Sequence, residues 1–453
     1  MSKSQIRDFT QGSITRQLIP FALPLFLSNL LQVVYNMVDM IVVGHVLGKA
    51  GTSAVAVGGD ISAFLTFIAM GFSSAGQVLI AKYIGSRQSH KLGRFVGTMT
   101  GFLMVCALLI SSVALLFQDG ILQLMNTPAE SYQGAADYSA ICMLGLVFIY
   151  GYNIVSAVLR GMGDSKHPFL FIGIAAALNV VLDILFVMVW DFGAGGAALA
   201  TVISQGVSFL CCGIFLLKRR EQFSLTLSWR DFIQWDGSML ASLVKLGAPM
   251  ALKSASVQFS KLFVNSWINS YGVEVSAFAG IANKISSTAN LVSNAMNTAG
   301  STMVGQNLAA REYARVKKIL LRLGQITLSI AIVMSTLLAL FPEPVFRLFT
   351  QDQAVLDIAP GYVPIAVLLF FGSALRSMMN ALINGSGNYR INFVTAILDG
   401  IVMRIGLALL FGLLLDMRHY GFWLGDALAG FTPFCVGLVF YLTGLWKKEK
   451  PAK

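Results

Sequence analysis

The sequence is short of charge. Lys, Arg, Asp and Glu together make up 12% of its 453 residues, about half the share of a soluble domain. That excludes a water-soluble globular fold and a disordered chain, and with 11 prolines it also excludes a collagen-like fibre. Five cysteines (Cys106, Cys142, Cys211, Cys212, Cys435) lie in apolar stretches with no ligand spacing, and there are four histidines. No disulfide framework and no metal centre of the zinc type follows from such a set. No Walker A sequence, HExxH or Ser/His/Asp set occurs, so the sequence predicts neither an enzyme nor a cofactor protein. Met1 to Arg16 is polar and lacks the pattern of a cleaved leader.

Apolar residues are abundant: 56% of the chain, with 32 Phe and 19 Met and a mean hydropathy of +0.73. This is the composition of a polytopic all-α membrane protein. Twelve runs are long enough to cross a bilayer, at 18–46, 52–82, 93–117, 132–160, 167–190, 195–217, 240–270, 276–308, 316–341, 356–384, 391–415 and 421–446. They are called spans one to twelve below. With the N-terminus inside, 23 Lys and Arg residues fall on the cytoplasmic side and three (Lys49, Arg347, Arg418) outside. That asymmetry accounts for the net charge of +11 and places both termini in the cytoplasm. It leaves no reason to invoke nucleic acid. The predicted organisation is an N-terminal segment 1–17, a first lobe 18–217, a polar cytoplasmic linker 218–237, a second lobe 238–446 and a basic tail 447–453.

The two lobes repeat at an offset of 224. AVLRGMGDSKHP at 157–168 answers ALINGSGNYRIN at 381–392, pairing Gly161 with Gly385 and Gly163 with Gly387. Gly76 pairs with Gly300 and Arg87 with Arg311. ALPLFLSNL matches APMALKSAS after a one-residue shift. Six spans per half is an even number, so the halves have the same topology, related by an axis along the membrane normal. Two similar lobes rocking about shared space is a transporter design. GMGD and GSGN read as helix-ending turns rather than phosphate loops.

An ionisable group inside a bilayer costs roughly 2.5–3.5 kcal/mol on insertion scales, so such groups mark interiors and pathways. The deep acids are Asp39, Asp60, Asp183, Asp399 and Asp426; the deep bases are Lys253, Lys261, Lys284, Arg376 and Arg404, all in the second half. Span one lines up Asn29, Gln32, Asn36 and Asp39 at steps of three and four, hence on one helix face. Span five adds Asn179 and Asp183, and span six Thr201. Two carboxylates, an amide and a hydroxyl are hard oxygen ligands suited to H⁺ or Na⁺, with Asp39 and Asp183 the metal ligands if the ion is Na⁺; a structural hydrogen-bond network is the alternative. Span seven mirrors span one with Ser254, Gln258, Lys261 and Asn265. Span eight carries Asn283, Ser287, Asn290, Asn294 and Asn297, and span ten Arg376, Asn380 and Asn384. Lys253 and Lys284 suit snorkelling to an interface, whereas Lys261 is too deep for it. The cations serve either as counter-charges to the first-lobe acids or as a dock for an anionic group. Candidate cavity residues are Gln32, Tyr35, Asn36, Asn153, Gln258, Lys261, Asn265, Lys284, Asn294 and Arg376.

The stretches GSITRQLIPFALPLFLSNLLQVVYNMVDMIVVG, VLRGMGDSKHP, AALNVVLDILF and GAGGAALATVIS resemble the multidrug and toxin extrusion (MATE) transporters over about residues 12–446. The sequence is most similar to the DNA-damage-inducible-type branch, whose cation site Asp39, Asn179, Asp183 and Thr201 match. The resemblance implies twelve helices in two six-helix lobes. It also implies antiport, with cation influx driving export of small organic drugs across a bacterial inner membrane. Another branch carries carboxylates in spans seven and ten. Here those stretches hold Gln258 and Lys261, and Ser373 and Arg376, so coupling is expected in the first lobe. Lipid-linked sugar flippases of the wider superfamily are the second reading, and a passive channel the third. No partner besides substrate and membrane lipid is predicted, and a two-lobe transporter works as a monomer.

Overall fold

The computed structural model describes residues 5–448, all helix and connecting turn, with no strand among them. Residues 1–4 of the N-terminal segment and 449–453 of the basic tail lie outside the described residues. Spans one and two form one helical run, Ile14–Gly85, broken at Gly48. Its 72 residues would reach about 108 Å as a straight rod, more than three times the hydrocarbon thickness. The break is therefore what makes two crossings. Gly48 has φ 63 and ψ −150, a conformation that only glycine adopts without strain. Thr52 Oγ1 donates to its freed carbonyl at 2.9 Å.

Span three is Leu92–Leu116, and span four is the pair Ala129–Leu144 and Leu146–Gly161, bent by 48° at Gly145. Span five is Lys166–Asp183 continued by a π-helical stretch, Ile184–Val189, and span six is Gly193–Lys218. In the second half, spans seven to ten are Gly237–Asn269, Val273–Ala309, Tyr313–Leu340 and Ala359–Ser386. Span eleven runs from Tyr389 to Leu414 with π-helical stretches at Leu398–Val402 and Leu410–Leu414. Span twelve is Arg418–Ala429 with Thr432–Leu442. Every predicted span has its helix. Spans seven and eight fall short of membrane-grade hydropathy, because their polar stripes dilute it.

The chain forms two compact units. One contains Leu23–Gly247 and the residues up to Asp8; the other contains Phe9–Ala22 and the residues from Ala248 onward. Within the second unit, the Phe9 amide donates to Gln306 Oε1 at 2.9 Å and Asn307 Nδ2 donates to the Phe9 carbonyl at 3.1 Å. The Arg315 guanidinium donates to the carbonyls of Phe9, Gln11 and Gly12, each at 2.8 Å. Within the first unit, the linker packs on span three through glycines. A Cβ on Gly93 would meet the Thr226 carbonyl at 2.1 Å, and one on Gly101 the Phe232 carbonyl at 2.1 Å. Asp236 pairs with Arg94 at 3.3 Å, and its amide donates to Thr98 Oγ1 at 3.2 Å. The stretches entering spans one and seven are thus both tied down by hydrogen bonds.

The repeat holds at the level of single contacts. A Cβ on Gly161 would sit 2.9 Å from Ile80 Cβ, and one on Gly385 would sit 2.9 Å from Val304 Cβ. Gly76 faces Met99 as Gly300 faces Leu323. Left-handed backbone recurs at Gly163 and Gly387 (φ 88 and 70), and at the non-glycines Arg87 and Arg311 (φ 59 and 62). After each glycine turn the next residue caps the following helix. Asp164 accepts from the amides of Lys166 and His167, and Asn388 from those of Arg390 and Ile391. GMGD and GSGN are accordingly a helix stop and an N-cap in series.

Candidate functional site

The first unit gathers carboxylates. Asp39 on span one is 6% exposed, and on span five Asn179 is 2% exposed and Asp183 0%. Asn179 Nδ2 donates to Thr201 Oγ1 of span six at 3.4 Å. The π-helical stretch begins at the residue after Asp183. Such widened turns free backbone groups and are frequent at functional positions. Span six opens with GAGGAALA, and its small residues let span five come close: a Cβ on Gly196 would lie 3.1 Å from the Phe186 carbonyl. Asp39 and Asp183 are within electrostatic range of each other, and Tyr138 of span four is within range of both.

What distinguishes this group is carboxylate oxygens that are buried without hydrogen bonds. Both oxygens of Asp183, Oδ1 of Asp39, Oδ1 of Asn179 and Oγ of Ser204 are buried and accept from no group among the described residues. Buried polar atoms are normally paired, and a bare buried carboxylate is among the costliest arrangements in a protein. A proton or a small hard cation bound by these oxygens removes that cost. The donor set is all oxygen, which fits Na⁺ as well as H⁺.

The second unit gathers cations. Arg404, 2% exposed, pairs with Asp399 at 3.0 Å and with Asp426. Lys253 Nζ donates to Asn380 Oδ1 at 2.6 Å, and Arg376 donates to Asn290 Oδ1. Lys261 is half-buried and lies within electrostatic range of Asp426, Arg404 and Arg376. Lys253 is within range of Asp399 and Arg376. These groups form one cluster of four cations and two carboxylates.

The remaining candidates divide. Gln32, Tyr35 and Asn265 are half-buried, while Asn36, Gln258, Lys284 and Asn294 are exposed. Asn153 is spent on its own helix, donating to the Ile149 carbonyl at 2.8 Å. Two expectations need correcting. Asp60 is exposed, not buried among the helices. Lys253 does not reach for an interface; Asn380 holds it among the helices. Sequence reasoning missed Tyr138 and Ser204. Ser204 was within reach, since Thr201, Ser204 and Ser208 follow steps of three and four on one face. Tyr138 announces itself only through the repeat. It packs on Gly58, while Tyr362, 224 positions later, donates to the carbonyl of Ala282, the counterpart of Gly58.

Hydrophobic helices in two halves of like construction, with ionisable groups sealed among them, define a duplicated multi-pass membrane transporter. The chain belongs to the MatE family, whose model matches twice, at residues 24–185 and 249–410. Those two matches lie one position from the 224 offset of the glycine pairs, as the shifted ALPLFLSNL alignment requires. The chain is 28% identical over 443 residues to the probable multidrug resistance protein YpnP of Bacillus subtilis, covering 98% of each. It is 28% identical over 451 residues to the probable multidrug resistance protein YoeA of the same organism, covering 97% of this chain and 96% of that one. The fold matches a solved structure of a multidrug resistance MATE family transporter of the MOP superfamily in an outward-facing conformation. The TM-score is 0.90 at 22% identity, over 99% of this chain and 100% of that one.

Proposed function

We propose that the protein is a secondary active antiporter of the bacterial plasma membrane. It exports small organic solutes in exchange for H⁺ or Na⁺ entering through Asp39, Asn179, Asp183 and Thr201, the set that matches the DNA-damage-inducible-type branch. It acts as a monomer with both termini in the cytoplasm. The observation that carries this reading is Asp183, fully buried with neither carboxylate oxygen hydrogen-bonded among the described residues. A group in that state takes up a proton or cation readily and holds it only while the surrounding helices stay closed. In the cycle, an ion from outside binds between Asp39 and Asp183 and removes their mutual repulsion. Span one repacks, bending near Pro24, and the lobe releases solute outward. The inward-open protein then discharges the ion and reloads. Ion and solute are coupled only insofar as each binds the two states with different affinity.

The test is flux in proteoliposomes under a pH gradient or a Na⁺ gradient, imposed separately, with a fluorescent organic solute as readout. Gradient-driven flux that Asp39→Asn and Asp183→Asn abolish supports antiport and names the ion. Full gradient-driven flux in either variant would end this reading. A second reading, export or flipping of anionic substrates, is favoured by one observation, the surplus of cations in the second unit.

A further inference from the structure

That surplus carries a proposal which rests on the transport reading and names a substrate class for it. We propose that the second unit holds a binding site for an organic anion, formed by Lys253, Lys261 and Arg376. The ligand is a carboxylate, sulfonate or phosphate group on an apolar body.

Charge balance comes first. The cluster holds Lys253, Lys261, Arg376 and Arg404 against Asp399 and Asp426, so it carries two more positive charges than negative. Both carboxylates are already engaged by Arg404. Among the described residues, none of the other three cations pairs with a carboxylate. Uncompensated charges at this depth are expensive, whatever their sign. Arg404 alone has the partners of a purely structural buried cation.

The partners point the same way. Lys253 and Arg376 are each held by an asparagine side-chain oxygen, from Asn380 and Asn290. A neutral acceptor fixes the position of a cation without cancelling its charge, as a site for an incoming anion requires. Lys261 has no hydrogen-bond partner among the described residues and sits on the polar stripe of span seven, toward its Asn269 end. All three are half-buried, so a face of each remains open. Gln258 and Asn265, one turn to either side of Lys261 on the same stripe, add neutral donors. Arg376 is within electrostatic range of both lysines, and a guanidinium beside an ammonium group matches the several oxygens of an acidic head group. An apolar body suits a site among helices that span a bilayer.

Binding of two fluorophores with one apolar body and opposite charge, pyrenebutyrate and pyrenemethylammonium, tests this. The full-length protein is placed in phosphatidylcholine nanodiscs, with empty nanodiscs subtracted. Pyrenebutyrate should bind and weaken with salt, and pyrenemethylammonium should not compete. Lys261→Gln and Arg376→Gln should each raise the Kd about tenfold, the scale of one charge-assisted hydrogen bond. Lys261→Arg should restore binding, which a variant that merely failed to fold would not show. Equal binding of the two probes, or an unchanged Kd in both Gln variants, would overturn the proposal. Adding phosphatidylglycerol to the nanodiscs identifies the source of the anion. Displacement of the probe assigns the site to a lipid head group, and retention assigns it to a soluble anion. Ion-driven flux without variant-sensitive pyrenebutyrate binding removes this site and leaves antiport standing. Variant-sensitive binding without ion-driven flux does the reverse.

Discussion

The first unit buries two carboxylates that no cation pairs with among the described residues; the second holds two carboxylates that share one arginine, with three more cations within electrostatic range. The backbone under both is the same. Gly163 and Gly387 turn alike, and Gly161 and Gly385 press on their neighbours at equal distance. The two halves therefore differ in where charge was placed on a common frame. In the first unit charge is left without a partner where an ion fits. In the second, part of the charge is locked into structure and part stands open. The contrast is between buried carboxylates with an ion-pair partner and buried carboxylates without one among the described residues.

The sharpest way to break that contrast is to neutralise one acid in each unit. Asp183→Asn should reduce ion-driven flux to the background leak while leaving the melting temperature equal or higher, because it removes a bare buried charge. Loss of both flux and stability would put Asp183 among the structural groups. Arg404→Met should act in the opposite way. It removes the one ion-pair partner that buried Asp399 has among the described residues, at a cost of about 3–5 kcal/mol. A fall in melting temperature of the purified protein checks it, and a stable but inactive variant would move Arg404 to the transport side of the comparison.

The frame was legible before any coordinates. Hydropathy marks most of the spans, the repeat supplies spans seven and eight, whose polar stripes dilute it, and the paired glycines mark the repeat. The stripe from Gln32 to Asp39 was legible too, since one helix fixes its geometry. What was hidden depends on partners far along the chain. Nothing near Lys253 announces Asn380, which is 127 residues away. The Asp399–Arg404 pair is five residues apart, a spacing that an α-helix places on different faces. The π-helical stretch Leu398–Val402 brings the two side chains together, and its five-residue hydrogen-bond period is not written in the hydrophobic pattern. The exposure of Asp60 was equally hidden, because a long apolar run does not say which of its faces packs against other helices.

A smaller effect sharpens the claim that the frame is shared. Gly163→Ala and Gly387→Ala each force a side chain into left-handed backbone, costing about 1–2 kcal/mol. Equal falls in melting temperature for the two variants would confirm that both turns bear the same strain. A fall in only one would show that one lobe has relaxed its copy of the turn.

The smallest effect concerns the linker. Asp236 precedes the helix of span seven and acts as its N-cap, accepting from the Ser238 hydroxyl at 2.7 Å and from the amides of Ser238 and Met239 at 3.0 and 3.1 Å. The Ser238 hydroxyl, the Met239 and Ser238 amides and the nearby Arg94 together hold its carboxyl below the usual carboxylate range. A carboxyl depressed in the folded state lends stability above its unfolded pKa of about 3.9 and loses it as pH falls through the lower folded value. Asp236→Ala should therefore cost about 1 kcal/mol at neutral pH. The gap from wild type should narrow as the pH is taken below about 4. Arg94→Gln should cost less, since the pair is largely exposed and screened. A gap between wild type and Asp236→Ala that stays constant with pH would show that the cap works through packing rather than through its charge.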